Sequence, residues 1–239
     1  MGATADMDME KKSSIVDFHA HILPGVDHGS ADLATTKYQL EEARRAGIDL
    51  IVATSHFYPQ QESVDAFLRR RGHALGLIKE VEGNKAPKIL PAAEVLLCPH
   101  MDEMPDLDKL CIGGTNMILM EMPFEETWGE EKVCTLERIE KRGMHIVLAH
   151  IERYSMGNVY KILKRRIDVQ VNVDYIKSFY QRRVVRRCAE QNRVVALGSD
   201  IHKKSKAYRL FGRAKKHLED IGCPVMEICG QILEKHNVE

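Results

Sequence analysis

Histidines and carboxylates stand at the ends of apolar runs throughout this chain. The stretch "DFHAHILPGVDHG" (17–29) holds His19, His21 and His28 with Asp17 and Asp27 around a Pro-Gly turn. His56 closes "ATSH", Glu94 lies in "AAEVLL", Glu121 closes "ILME" and His150 closes "IVLAH". Asp200 and His202 close "LGSDIH". A lone histidine in such a place is more often structural than a ligand. Glu121, however, follows "MILM", where an unpaired carboxylate would be costly. Eight such residues (His19, His21, His56, Glu94, Glu121, His150, Asp200 and His202) converging on one mouth need a common partner. A cluster of cations partners all of them. A His/Asp/Glu set without thiolates suits Mn, Fe or Zn. This many ligands predicts more than one ion, bridged by carboxylates as in two-metal hydrolases.

The elements that must position these residues follow from hydrophobic periodicity. Short β-rich runs alternate with amphipathic stretches: "SSIVDFH" strand, "LATTKYQLEEARRA" helix capped by Ser30 or Asp32 and stopped at Gly47, "IDLIVATSH" strand, "SVDAFLRRRGHALGLIKEVEG" helix, "PKILPAAEVLL" strand. "NMILMEMPF", "HIVLAH", "DVQVNVD" and "RVVALGSD" continue as strands with helices between. Two helical stretches, broken at Gly222-Cys223-Pro224, end the chain. Seven strand-then-helix units imply a parallel sheet, and that number implies a barrel with reactive groups at the C-terminal strand ends. An open doubly wound sheet is the alternative. Spacing i, i+2 puts His19 and His21 on one face of their strand, with Asp17 expected beside them in support.

Composition sets outer bounds. At 239 residues the chain suits one α/β barrel domain over 15–239, and residues 1–14 read as a disordered leader. Lys+Arg and Asp+Glu balance at 35 each, which argues against nucleic acid as a partner. No apolar run is long enough to span a bilayer, and the N-terminus lacks a secretory core. Six cysteines without a C-x-x-C pair read as reduced thiols of a cytoplasmic protein. None has an arginine six positions on, so a cysteine-dependent phosphatase loop is absent, as is a P-loop. Arg182, Arg183, Arg186 and Arg187 read as a solvated helical face, with a docking surface for anionic partners as the alternative. Trp128 is placed on a loop that borders the mouth or simply starts a helix.

"DFHAHILPGVDHG", "ATSHFYP", "AAE", "LMEMPF", "LAHIERY" and "GSDIH" resemble, in order and spacing, the PHP (polymerase and histidinol phosphatase) superfamily. The similarity is to its bacterial tyrosine-phosphatase branch, associated with capsule and exopolysaccharide synthesis, and it covers residues 15–236. The resemblance implies a distorted (β/α)7 TIM-like barrel with two to three divalent ions, manganese first and iron or zinc as alternatives. It implies one ion on His19, His21, Glu94 and Asp200. Glu94 would bridge to a second on Glu121 and His150, with a third on His56 and His202. Where the family has "DDG" this chain has "DHG", so the third-ion aspartate falls on His28. Arg153 matches a phosphate-binding arginine, and a guanidinium there suits bidentate grip of phosphate. A surface ion pair with Glu152 or another neighbour is its plainer reading. A second family arginine has no clean counterpart in "HKKSKAYRL", where Lys203, Lys204, Lys206 and Arg209 are the candidates. The implied activity is hydrolysis of phosphotyrosine in proteins by metal-activated hydroxide; His28 or His56 could donate a proton where its ring is not fully committed to metal. The implied partner is a bacterial tyrosine kinase of polysaccharide export. A small phosphate ester, such as histidinol phosphate or a nucleotide, is the alternative substrate.

Overall fold

The computed structural model describes residues 14–79, 86–225 and 230. Most of the expected leader, the end of the second helix and most of the last helical stretch lie outside these residues. The element order is β1 (Val16–Ala20), α1 (Leu33–Arg45), β2 (Leu50–Ala53), β3 (His56–Phe57), α2 (Val64–Lys79), β4 (Lys88–Pro91), β5 (Glu94–Leu96), β6 (Met117–Glu121), α3 (Glu130–Lys141), β7 (His145–Leu148), α4 (Met156–Lys164), β8 (Asp168–Asn172), α5 (Phe179–Ala189), β9 (Val194–Gly198) and α6 (Phe211–Asp220). Local chemistry sets several of these limits. The Asp32 carboxylate accepts from Thr35 N at 2.7 Å and caps α1, and Gly47 beyond its end takes a left-handed φ of 76°. Ser155 and Ser178 cap α4 and α5 in the same way.

Every strand pairing is parallel. The strands form a three-stranded sheet, β1-β2-β4, and a six-stranded sheet, β3-β5-β6-β7-β8-β9. Two of the seven expected strands are therefore split. "IDLIVATSH" breaks at Thr54-Ser55 into β2 and β3, and "PKILPAAEVLL" breaks at Ala92-Ala93 into β4 and β5. Pro91 has no N–H to continue the ladder. At both breaks the chain passes from one sheet to the other, and backbone bonds follow it: Ala92 N to Ala53 O at 3.0 Å, Glu94 N to Ser55 O at 3.1 Å. On the far side the ends of β1 and β9 are tied by Asp200 N to His19 O, 2.7 Å, and His21 N to Ile201 O, 3.3 Å.

Two apolar clusters follow from strand alternation. The larger packs strands against helices. The smaller takes Val16 and Phe18 from β1, Val52 from β2, Leu90 from β4, Met117 and Leu119 from β6, Val147 from β7 and Val195 from β9. It draws on both sheets and so lies between them. Among the described residues, Cys111, Cys188 and Cys223 are buried free thiols, and Cys98 and Cys134 are partly buried ones. Trp128 is fully buried, so it belongs to the core and does not border the mouth.

One irregularity corrects the expected facing of β1. Asp17 is in register with Ile51 and Ala20 with Ala53, three residues against two. This bulge breaks the simple alternation between Asp17 and the histidines. Asp17 still supports His19, whose N donates to its Oδ1 at 3.3 Å, and it ties β1 to β9: Oδ1 accepts from Ser199 N at 2.7 Å and Oδ2 from Ser199 Oγ at 2.6 Å.

The approach of β9 to β1 is close enough to require glycine at 198. A Cβ there would lie 2.5 Å from His19 Cβ and 2.7 Å from Gln170 Nε2. Gly198→Ala is expected to cost about 1–3 kcal/mol in urea unfolding and to displace the His19 ring. Wild-type stability in that variant would contradict the packing described.

Candidate metal centre

The strand ends bring the eight predicted residues into one buried cluster around Glu94. Its Oε2 lies 3.2 Å from His19 Nε2, 3.2 Å from His21 Nε2 and 3.0 Å from His56 Nδ1. Its Oε1 lies 2.9 Å from His150 Nε2, which is also 3.3 Å from Glu121 Oε1. Asp200 Oδ1 is 3.6 Å from His19 Nε2 and 3.3 Å from both His21 Nε2 and His202 Nδ1. Three groups have ligand atoms mutually close enough to share an ion: His19, His21 and Asp200; His56, Glu94 and Glu121; His21, His56 and His202.

The surrounding bonds fix which nitrogens face inward. His19 Nδ1 donates to Gln170 Oε1 at 3.1 Å, and His21 Nδ1 donates to Asp27 Oδ2 at 2.8 Å. Each neutral ring then presents the bare lone pair of Nε2 to the centre, and these two nitrogens are only 3.0 Å apart. Two lone pairs at that distance, beside a carboxylate oxygen, repel unless a proton or cation lies among them. Bonds of about 2.1 Å to one shared ion bring ligand atoms to about this separation. Glu94 Oε2, His56 Nδ1 and His202 Nε2 are also buried without a hydrogen-bond partner. The donor set and its orphaned atoms therefore fit divalent cations, and the bonds behind His19 and His21 are of the kind that orients metal ligands.

The backbone is strained where two of these side chains enter. His150 has φ 34° and Asp200 φ 46°, a left-handed conformation that costs non-glycine residues on the order of 1 kcal/mol or more. It turns the chain sharply at the ends of β7 and β9 and aims both side chains at the cluster.

The electrostatics report a demand for positive charge. Burial alone would keep the imidazoles neutral, yet Glu94 and Asp200 raise His19, and hydrogen bonds to Asp200, Asp27 and Glu94 raise His21 well above the usual range. His150, against the same cost of burial, is raised to about 10 by Glu121 and Glu94. Against burial, His19, His150 and His21 hold the Glu94 carboxyl well below the usual carboxylate range.

The opening stretch divides its roles between two neighbours. Asp27 is the oriented carboxylate: besides holding His21, its Oδ2 accepts from His56 N at 2.9 Å and its Oδ1 from Gly29 N at 2.8 Å. His28 is exposed, with its ring 4.8 Å from that of His56 and 4.6 Å from that of His202, and lies outside the three close groups. Arg153 pairs with Asp200, not Glu152, its Nη2 2.6 Å from Oδ2. Asn172 Nδ2 donates to the same oxygen at 2.9 Å. Arg153 and Asp200 open onto a cavity of about 420 Å³ also lined by Lys177, Lys206 and Arg209. Of the four candidates for a second cationic clamp, Lys206 and Arg209 line this cavity. Lys203 and Lys204 do not.

Sequence reasoning missed Gln170, which accepts from His19 Nδ1 and from His150 N at 2.8 Å and so orients two histidines from β8. Its only signal is a polar residue in the middle of an apolar strand. It also missed Tyr58, whose ring lies 5.2 Å from that of His56 and whose hydroxyl is pushed up to about 12 by burial, Glu121 and Glu94.

Comparison with known proteins adds the family. Residues 15–222 match the model of the family described as Capsular polysaccharide synthesis, CpsB/CapC. The chain belongs to this family. Tyrosine-protein phosphatase CpsB of Streptococcus agalactiae serotype III (strain NEM316) is 26% identical over 204 residues, 79% of this chain and 83% of that protein. A solved chain from the work on YwqE of Bacillus subtilis and CpsB of Streptococcus pneumoniae, described as metal-dependent tyrosine phosphatases, superposes with a TM-score of 0.74. It is 22% identical and covers 94% of this chain and 93% of its own. Histidinol phosphate phosphatase of Lactococcus lactis, solved with zinc, L-histidinol and phosphate, superposes at a TM-score of 0.61, 13% identical, over 88% of this chain and 94% of its own. At these identities the two structural likenesses speak for the fold. Among the described residues, no helix is long and apolar enough to cross a membrane.

A cation held by His150 would displace its proton, so adding Mn to chelator-treated protein near pH 8 should release protons, read by a pH indicator in weak buffer. The stability linkage has the same origin. The folded protein raises His150 to about 10, from about 6.5 for an ordinary imidazole. Its stabilising share in metal-free protein is thus full below about 6.5 and lost as pH climbs toward 10. The melting temperature of chelated protein should fall across that window, and a flat profile would contradict the assignment.

Proposed function

We propose that this chain is a metal-dependent phosphomonoesterase that hydrolyses phosphotyrosine in proteins. The observation that carries it is the pair of inward Nε2 atoms, His19 and His21, 3.0 Å apart against Glu94 Oε2. The capsule family and the names of its tyrosine-phosphatase relatives supply the substrate class. We also read the two sheets as one distorted (β/α)7 barrel within a single domain over 15–239. The bonds at the two strand breaks, the β1–β9 ties and the shared apolar cluster support that reading.

His19, His21, Glu94 and Asp200 would hold one cation. Glu94 would be shared with a second, on Glu121 and His150. His56 and His202 would hold a third, with His28 at its rim; the mutual closeness of His21, His56 and His202 supports this position. Manganese is the first choice, with iron or zinc as alternatives, since the donors are imidazole and carboxylate. Such ions supply a water nucleophile at neutral pH and neutralise phosphoryl charge.

The chain's own groups do the rest. Arg153 grips the phosphoryl oxygens from the cavity side and keeps Asp200 in place. Burial opposes its charge, but Asp200, Glu152 and Asp174 hold its pKa above the ordinary value, so it stays cationic. Asp27 and Gln170 keep His21 and His19 in the tautomer that faces inward. A phenolate leaving group, with parent pKa of about 10, needs little acid help. An exposed ring such as His28, or His56 behind it, is placed to donate a proton at the leaving oxygen. The physiological substrate we favour is a bacterial tyrosine kinase of polysaccharide export, met in the cytoplasm.

A small ester such as histidinol phosphate or a nucleotide is the second reading. The cationic cavity beside Arg153 and the likeness to the Lactococcus enzyme favour it. A panel of phosphotyrosine peptide, phosphoserine peptide and histidinol phosphate separates the two. Phosphotyrosine peptide is expected to be preferred, with turnover abolished by chelator, and preference for histidinol phosphate would reverse the choice. Arg153→Ala is expected to lower kcat/KM about 100-fold with bound metal retained. His28→Ala should lower metal stoichiometry, and unchanged content would reject His28 as a ligand.

A further inference from the structure

Phe124 is a phenyl ring held out in water, 63% exposed, on a loop that is otherwise tied down. The Tyr154 hydroxyl accepts from Met122 N at 3.1 Å and sits 3.2 Å from Met122 O. Trp128 Nε1 donates to Pro123 O at 2.9 Å, and Asn158 Nδ2 donates to Glu125 O at 3.1 Å. Beneath them Trp128 and Tyr154, both buried, meet edge-on with centroids 4.7 Å apart. A loop so firmly bonded on both sides of Phe124 keeps its ring outward. The ring thereby forgoes the burial that a phenylalanine ordinarily gains.

Where it points gives the exposure a purpose. The Phe124 ring lies 5.6 Å from the His150 ring and 18° from parallel to it. His150 Nε2 in turn is 2.9 Å from Glu94 Oε1. A single imidazole thus separates the exposed phenyl from the carboxylates at the centre. Beyond Glu94, Tyr58 stands in the same relation to His56, 5.2 Å between centroids and 18° from parallel. Aromatic rings therefore back the histidines on either side of Glu94.

We propose that Phe124 is a specificity-determining residue whose ring receives the aryl ring of an aryl phosphate. The proposal rests on the phosphatase reading above and deepens it. In an aryl phosphate one oxygen separates the ring from phosphorus, so a phosphoryl group at the centre puts its ring at the mouth, beside the wall that Phe124 extends. Ring pairs gain from offset or edge contact at about 4.5–7 Å between centroids. A phosphoserine or another alkyl ester brings no ring to that wall and gains nothing from it. Selectivity for phosphotyrosine then comes from the rim, while the cluster and Arg153 bind the phosphoryl group common to all substrates.

The test compares wild type, Phe124→Ala and Phe124→Trp on a phosphotyrosine peptide and a phosphoserine peptide of the same sequence, with bound metal measured alongside. Calorimetry on a phosphonomethyl-phenylalanine peptide and on inorganic phosphate gives a readout independent of turnover. Phe124→Ala should reduce the aryl-to-alkyl ratio of kcat/KM about tenfold and the peptide-to-phosphate ratio of affinities in parallel. Phe124→Trp should restore both. An unchanged ratio, whether or not both activities fall, overturns the proposal while leaving the phosphatase reading intact. A wild-type enzyme with no preference for the phosphotyrosine peptide overturns both.

Discussion

The whole structure turns on a crowd of like-natured atoms around Glu94. Imidazole lone pairs and carboxylate oxygens meet at about 3 Å in a buried space, where Arg153 offsets only the Asp200 edge and the rest need protons or cations. Leaving such groups unpaired in a low-dielectric interior is among the costliest arrangements a protein can hold. The fold nonetheless commits strong resources to keeping them together. Asp17 straps β1 to β9 through Ser199, glycine stands where β9 meets His19, and left-handed turns aim His150 and Asp200 inward. Divalent cations would turn this cost into binding energy, because the side chains are already gathered.

Charge and its supports divide cleanly by depth. The innermost atoms belong to residues on strand ends, where the parallel architecture collects them. The next atoms out belong to Gln170, Asp27 and Asn172, which hold rings and carboxylates in one orientation. Arg153 stands at the edge and meets both the centre through Asp200 and the adjoining cavity. Aromatic rings form the rim. A centre of this kind would suit any phosphate monoester, which would leave discrimination between substrates to the outer residues.

Much of this was legible in the chain. Ligand residue types recur at the ends of apolar runs, and the structure gathers all eight into one cluster. The seven expected strands exist, but two are cut where Thr54-Ser55 and Ala92-Ala93 carry the chain between sheets, because pairing partners change there and periodicity does not record partners. The bulge in β1 was invisible for the same reason: a one-residue register shift is a property of two strands, not one. Position 28 is a histidine that chemistry alone makes a candidate ligand, while the neighbouring Asp27 is the carboxylate bonded to His21. Gln170 left only the trace of one amide in an apolar strand. Residues that act by holding others carry no distinctive spacing of their own.

Cation binding is expected to depend on Glu94 as the shared carboxylate. Glu94→Gln keeps the shape and removes the charge, so metal analysis of the purified variant by inductively coupled plasma mass spectrometry tests it directly. The expected result is a loss of at least one bound ion per chain relative to wild type, with the far-ultraviolet circular dichroism spectrum of a folded protein. A folded Glu94→Gln protein that retains the full wild-type metal content would contradict it.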